Sequence, residues 1–131
     1  MSETNGALTK YLDHVRMIKG SNIASNERSY YPALDTLFNA VGATLNPRVV
    51  AIHDVADAGA GHPDYALQVQ TTRDLRAAVE VKPASANVDD VAKSAQVLRY
   101  LRQYGICLVT NLRDFTLVRL APNCGTRRCR G

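Results

Sequence analysis

No apolar run in this 131-residue chain exceeds five to seven residues. That excludes a membrane-spanning helix, which needs about 20. The opening Met1-Ser2-Glu3-Thr4-Asn5 lacks a basic segment followed by an apolar core, so no secretory signal is expected. Cysteine is scarce, and its three copies are an odd number. Cys107 lies in an apolar run and reads as a small buried hydrophobe. Cys124 and Cys129 stand in a polar tail at a spacing that matches no strong zinc signature, with no histidine after them. A reduced, cytoplasmic setting follows as the default expectation. Internal repeats and low-complexity segments are also missing. What is present is a globular composition, 46% hydrophobic and 21% charged, of a length that suits one domain. The net charge of +4 and pI near 9.1 are below the excess expected of a nucleic-acid binder, yet compatible with that role.

Leu8, Tyr11, Leu12, Val15 and Ile18 repeat at helical spacing, and Gly20 ends that helix. Ser25 or Asn26 can cap a second helix, with Glu27 in its first turn, where the helix dipole favours an acid. Tyr30, Leu34, Leu37, Phe38 and Val41 then mark its apolar face and Gly42 stops it. Pro32 requires the helix to begin close by. Val49–Ile52 reads as a strand and 57–63 as a loop, by its glycine and proline content. Asp64–Gln70 and Leu75–Val81 read as two strands joined over Thr71–Asp74, an antiparallel hairpin that Pro83 ends. Asn87 caps a third helix whose expected buried face is Val88, Val91, Ala95, Leu98 and Leu101, closed by Gly105. Two further strands, Ile106–Thr110 and Phe115–Leu120, flank a turn at Asn111–Asp114. The order is α-α-β-β-β-α-β-β, an α/β class with a central mixed sheet flanked by helices. Residues 1–120 form the expected domain. The basic stretch 121–131, with Arg127, Arg128 and Arg130, has no periodicity and is expected to be disordered, or to be the atypical end of a truncated chain.

The charges of the hairpin are its most informative feature. Asp64 opens one apolar strand, and Glu80 and Lys82 close the next. Period-two alternation puts Glu80 and Lys82 on one face, with Val81 directed into the core. Pairing residue 71 with 74 across the turn pairs 65 with 80, within about a residue, so register alone gathers the three charges. Burying a carboxylate is costly unless it is paired or binds a cation. Asp64 and Glu80 can offer carboxylate oxygens to Mg²⁺, and the Val81 carbonyl a third ligand. A metal there acidifies a bound water and neutralises charge on a phosphate. Lys82 beside it can orient the water or stabilise the transition state.

Pro63-Asp64 followed by Glu80-Val81-Lys82 resembles the PD-(D/E)xK nuclease superfamily. Glu27 is similar to the acidic residue that often precedes the core motif there. Gln96 and Tyr100 are similar to a Q-x-x-x-Y element of several branches. The run from Gly105 to Phe115 resembles the region that follows. Over roughly residues 8–120 the motif order is most similar to the N-terminal nuclease domain of restriction–modification polypeptides, in which a nuclease precedes a methyltransferase. The resemblance implies a restriction-endonuclease-like core and a Mg²⁺-dependent DNA endonuclease in which Mn²⁺ can substitute. Asp64, Glu80 and Val81 would bind metal, Lys82 would assist the chemistry, and Glu27 and Gln96 would support the site. Its partners would be DNA and methyltransferase or helicase domains, none of which this chain contains. His62 departs from the pattern by standing where a small residue is expected. It could contact phosphate or the metal water, or simply line the loop.

Plainer readings stand beside these. The three hairpin charges could form a surface salt-bridge cluster. An acid at Glu27 has a sufficient explanation in the helix dipole, and Gln96 and Tyr100 could simply touch at i,i+4. Lys93, Arg99 and Arg102 read first as a solvated basic face and second as contacts to DNA phosphates. His14 and His53 are given no role. Two rival functions remain: a non-catalytic nucleic-acid-binding domain with the nuclease fold, and a nuclease for RNA or branched DNA such as a junction resolvase, which would need a two-fold dimer. No helix-turn-helix or other base-reading motif is visible, so the target sequence cannot be read.

Overall fold

The computed structural model describes residues 2–23 and 27–120, with the backbone path alone for 2–5 and 27. The expected cap at Ser25 or Asn26 and the tail 121–131, with Cys124 and Cys129, lie outside the described residues. Helix α1 (Ser2–Gly20) is followed by a 3-10 turn (Glu27–Tyr30), helix α2 (Tyr31–Gly42) and strands β1 (Val49–His53), β2 (Tyr65–Val69) and β3 (Leu75–Val81). Helices α3 (Val88–Ala92) and α4 (Ala95–Tyr104) lead to strands β4 (Ile106–Thr110) and β5 (Phe115–Arg119). The five strands form one mixed sheet in sequential order. Neighbours are antiparallel except β3 and β4, which are parallel. Parallel pairing requires a crossover, and α3 and α4 supply it.

The helices lie on both sides of the sheet. Ala7, Tyr11, Leu34 and Leu37 of α1 and α2 pack with Tyr65, Val79 and Val81. Val88, Val97, Tyr100 and Leu101 of α3 and α4 pack with Ala78, Cys107 and Val109. Alternation along β3 therefore sends residues 79 and 81 to one helical layer, and 78 and 80 to the other.

Three expectations change in detail. The third helix is two helices. The Ser94 hydroxyl accepts from the Val97 amide at 3.2 Å and caps α4 afresh, so the helical phase restarts. Leu98 is then 41% exposed, Ala95 is exposed too, and Val97, Tyr100 and Leu101 take the buried face. In α1 the buried stripe runs through Ala7 and Tyr11, which leaves Leu8 and Leu12 at 44% and 50% exposure. The second helix starts at Tyr31, with Pro32 in its first turn, where a missing amide costs nothing.

Gly42 is required by close approach rather than by its own dihedrals. A Cβ there would run into the Val49 main-chain carbonyl at the start of β1. Backbone cannot yield as a side chain can, so Gly42→Ala should destabilise the fold by about 1–3 kcal/mol. A thermal melt checks this: an unchanged midpoint would show that α2 and β1 separate freely.

A candidate metal centre at the end of the hairpin

Register places the site. Tyr65 pairs with Val79 and Leu67 with Ala77, but Gln68 pairs with Leu75. Residue 76 is thus a bulge, one extra residue in β3. Continued one step, the ladder sets Asp64 beside Glu80, and the Asp64 amide bonds the Val79 carbonyl at 3.0 Å. Without the bulge the turn would set Asp64 opposite Val79, whose side chain enters the other layer. Residue 65 thus pairs one position from 80, within the expected margin of about a residue, and the three charges meet.

Both oxygens of Asp64 are held. Oδ2 accepts from the Val81 amide at 2.7 Å and Oδ1 from the Tyr31 hydroxyl at 2.7 Å. Each keeps further acceptor capacity. In an antiparallel strand the N–H and C=O of one residue point the same way, so the Val81 carbonyl also faces the Asp64 side. Glu80 is only 8% exposed. Its Oε2 lies 3.2 Å from Lys82 Nζ. Burial, and then the charge of Asp64, push the Glu80 carboxyl up from 4.5 to about 7, against the opposing pull of Lys82. The same two acids, after burial, push the Tyr100 phenol up. Burial and Glu80 raise the Cys107 thiol to about 12, which leaves it an inert core residue.

These residues fit a hard divalent cation. A buried carboxylate raised by a second carboxylate has an electrostatic deficit that a cation would relieve. Among the described residues, no group of three or more His, Cys, Asp or Glu side chains gathers at metal-holding distances. The available donors are Asp64, Glu80 and the Val81 carbonyl, and Mg²⁺ commonly keeps several waters.

The remaining expected site residues fall around this centre. Gln96 bonds the loop and a neighbouring arginine rather than either carboxylate. Its amide donates to the Ala60 carbonyl at 2.6 Å, and its oxygen accepts from Arg99 at 2.8 Å. It anchors the loop ahead of Asp64 and shows no bond to Tyr100. Asp57 anchors the same loop by accepting from the Gly59 and Gly61 amides at 2.7 and 3.1 Å, and these bonds lower its pKa. Gly61 has φ +110, and a Cβ there would meet the Gln96 amide nitrogen at 2.9 Å. His62 is exposed and its Nδ1 lies 3.2 Å from the Val55 carbonyl. Glu27 heads the 3-10 turn, and its side chain lies outside the described residues. A cleft of about 570 Å³ opens beside Asp64, lined among others by Arg28, Tyr31, His53 and His62.

Tyr31 is the residue that sequence reasoning missed. It stands 33 positions from Asp64, and no local pattern links the two. Its one signal is an aromatic residue just before Pro32, in a first helical turn that has to start at a fixed place.

No protein-family model matches the sequence, and no curated protein does. Among solved structures, a chain from the cryo-EM structure of a DrdV–DNA complex is similar, with a TM-score of 0.70 and 19% identity. The match covers 87% of this chain and 79% of that one. At that identity the likeness is one of fold, and function must be argued from the site. Among the described residues, no helix is long and apolar enough to cross a membrane.

Proposed function

We propose that the protein is a divalent-metal-dependent endonuclease that hydrolyses DNA phosphodiester bonds, with a restriction-endonuclease-like core. The observation that carries this reading is the buried Glu80 between Asp64 and Lys82 at the end of the hairpin. A surface salt-bridge cluster would not bury its acid or raise its pKa toward neutrality. The order of Pro63-Asp64, Glu80-Val81-Lys82 and Gln96 supports the PD-(D/E)xK likeness. The fold shared with a chain of a DrdV–DNA complex supports DNA as partner. We place the domain in a restriction–modification polypeptide on the motif order alone.

In this reading Asp64, Glu80 and the Val81 carbonyl hold Mg²⁺ or Mn²⁺. When bound, the cation supplies charge neutralisation at the phosphate and acidifies water. Lys82 Nζ, 3.2 Å from Glu80 and partly exposed, donates to the attacking water or to a phosphate oxygen. The cleft beside Asp64 admits the strand, with Arg28 and His53 on its wall and, on its rim, His62 and Pro63 at the end of the loop that Asp57 and Gln96 pin. A non-catalytic binding domain would have no use for an intact Asp64, Glu80 and Lys82 set, so that reading is the weaker.

Incubating the protein with supercoiled DNA, single-stranded DNA and RNA, in Mg²⁺ and in EDTA, tests this reading. Nicking of the duplex that stops in EDTA is expected. Duplex binding with no cleavage in either Mg²⁺ or Mn²⁺ would favour the binding domain.

A further inference from the structure

Asp64 is fixed by more than its own strand. Tyr31 reaches it from α2, which packs on the sheet face opposite to that of Glu80. The phenol has little freedom to swing. Its ring lies 5.3 Å from that of Tyr65 and 6.4 Å from that of His53, and the Arg28 guanidinium sits 6.0 Å from its centroid. Tyr65 Oη donates to the Tyr31 carbonyl at 3.2 Å, and so ties α2 to β2. The hydroxyl and the Val81 amide then take one oxygen of Asp64 each, both at 2.7 Å. Two opposed donors fix the carboxylate plane and leave the remaining lone pairs of both oxygens for a cation.

The geometry points to Tyr31 as the positioning residue of the metal centre: its hydroxyl holds Asp64 in the orientation that a divalent cation needs. This rests on the metal-site reading proposed above. Groups that orient metal ligands commonly govern affinity by 10- to 100-fold. A bond that merely satisfied a half-buried carboxylate would affect stability and leave metal affinity alone.

The test is isothermal titration of Mn²⁺ into the full chain, as wild type, Tyr31→Phe and Tyr11→Phe, with thermal melts of the metal-free proteins. Tyr31→Phe keeps the ring packing and removes only the hydroxyl. It should weaken Mn²⁺ binding about 10- to 100-fold and recover cleavage as Mn²⁺ is raised to saturation. Tyr11→Phe removes a tyrosine hydroxyl from the same core layer, one that donates to the Leu112 carbonyl at 2.7 Å rather than to Asp64 or Tyr31, and should leave the affinity nearly unchanged. Wild-type affinity in Tyr31→Phe would overturn the inference and leave the metal site standing. Equal weakening in both variants would overturn it too, by showing a general loss of packing. Absence of Mn²⁺ binding by wild type would overturn the metal reading itself, and the inference with it.

Discussion

Glu80→Gln should make the metal-free protein more stable at pH 8 while abolishing cleavage. The Glu80 carboxyl titrates near 7 in the fold and near 4.5 in its ordinary setting. The unfolded chain therefore releases this proton first as pH rises. Stability from Glu80 is fully present below about pH 4.5 and is lost as pH climbs through about 7. Above that, the fold carries a charge that burial and Asp64 both oppose. The shift sets an upper bound on the order of 3 kcal/mol for the gain on neutralising it. Lys82 loses its partner in the variant, but its side chain is 38% exposed and water can solvate it. Melts in EDTA from pH 4 to pH 8.5 check this. The wild-type midpoint should fall between about pH 5 and pH 8, whereas that of Glu80→Gln should be flatter and higher at pH 8. Equal slopes would show that Glu80 is not the group that burial disfavours. A site residue whose removal stabilises the fold is retained for its chemistry.

Lys82→Ala should slow cleavage by about 10²- to 10³-fold, the usual loss when one electrostatic contact to the reacting phosphate is removed. Mn²⁺ affinity should change little, because Lys82 is not a ligand. The comparison is best made near pH 8.5. Lys82 lowers the Glu80 pKa through its charge and hydrogen bond, so at neutral pH the variant would lose affinity to a competing proton. Single-turnover cleavage at saturating Mn²⁺, paired with a binding isotherm, separates the two effects. Loss of binding together with rate would make Lys82 a structural counter-charge rather than a participant in the chemistry.

How much of this was legible in the sequence depended on how local each cause was. Alternation in Leu75–Val81 and a short turn are enough to expect Asp64, Glu80 and Lys82 at one end of the hairpin, though the register that brings Asp64 beside Glu80 also needs the bulge. The hairpin closes at Val69 and Asp74 rather than at 71 and 74, a shift of two residues, and the bulge at residue 76, which no turn residue announces, restores one of them. The apolar spacing from Val88 to Leu101 reads as one helix. It takes only the Ser94 hydroxyl to divide it, and serine is common enough mid-sequence to pass unnoticed. Gln96 was singled out, but its partner is the Ala60 carbonyl, a main-chain atom that side-chain pattern cannot point to. Tyr31 is out of reach of sequence reasoning because its contact with Asp64 exists only once α2 has docked on the face of the sheet.

The most direct test of the central claim is nicking of supercoiled plasmid in Mg²⁺ by wild type and by Asp64→Ala, purified side by side. Asp64 is the residue on which the Val81 amide and the Tyr31 hydroxyl both converge. Metal-dependent nicking by wild type and none by Asp64→Ala is the predicted result. Equal nicking by both proteins would contradict the account, because the activity would then come from somewhere other than this site.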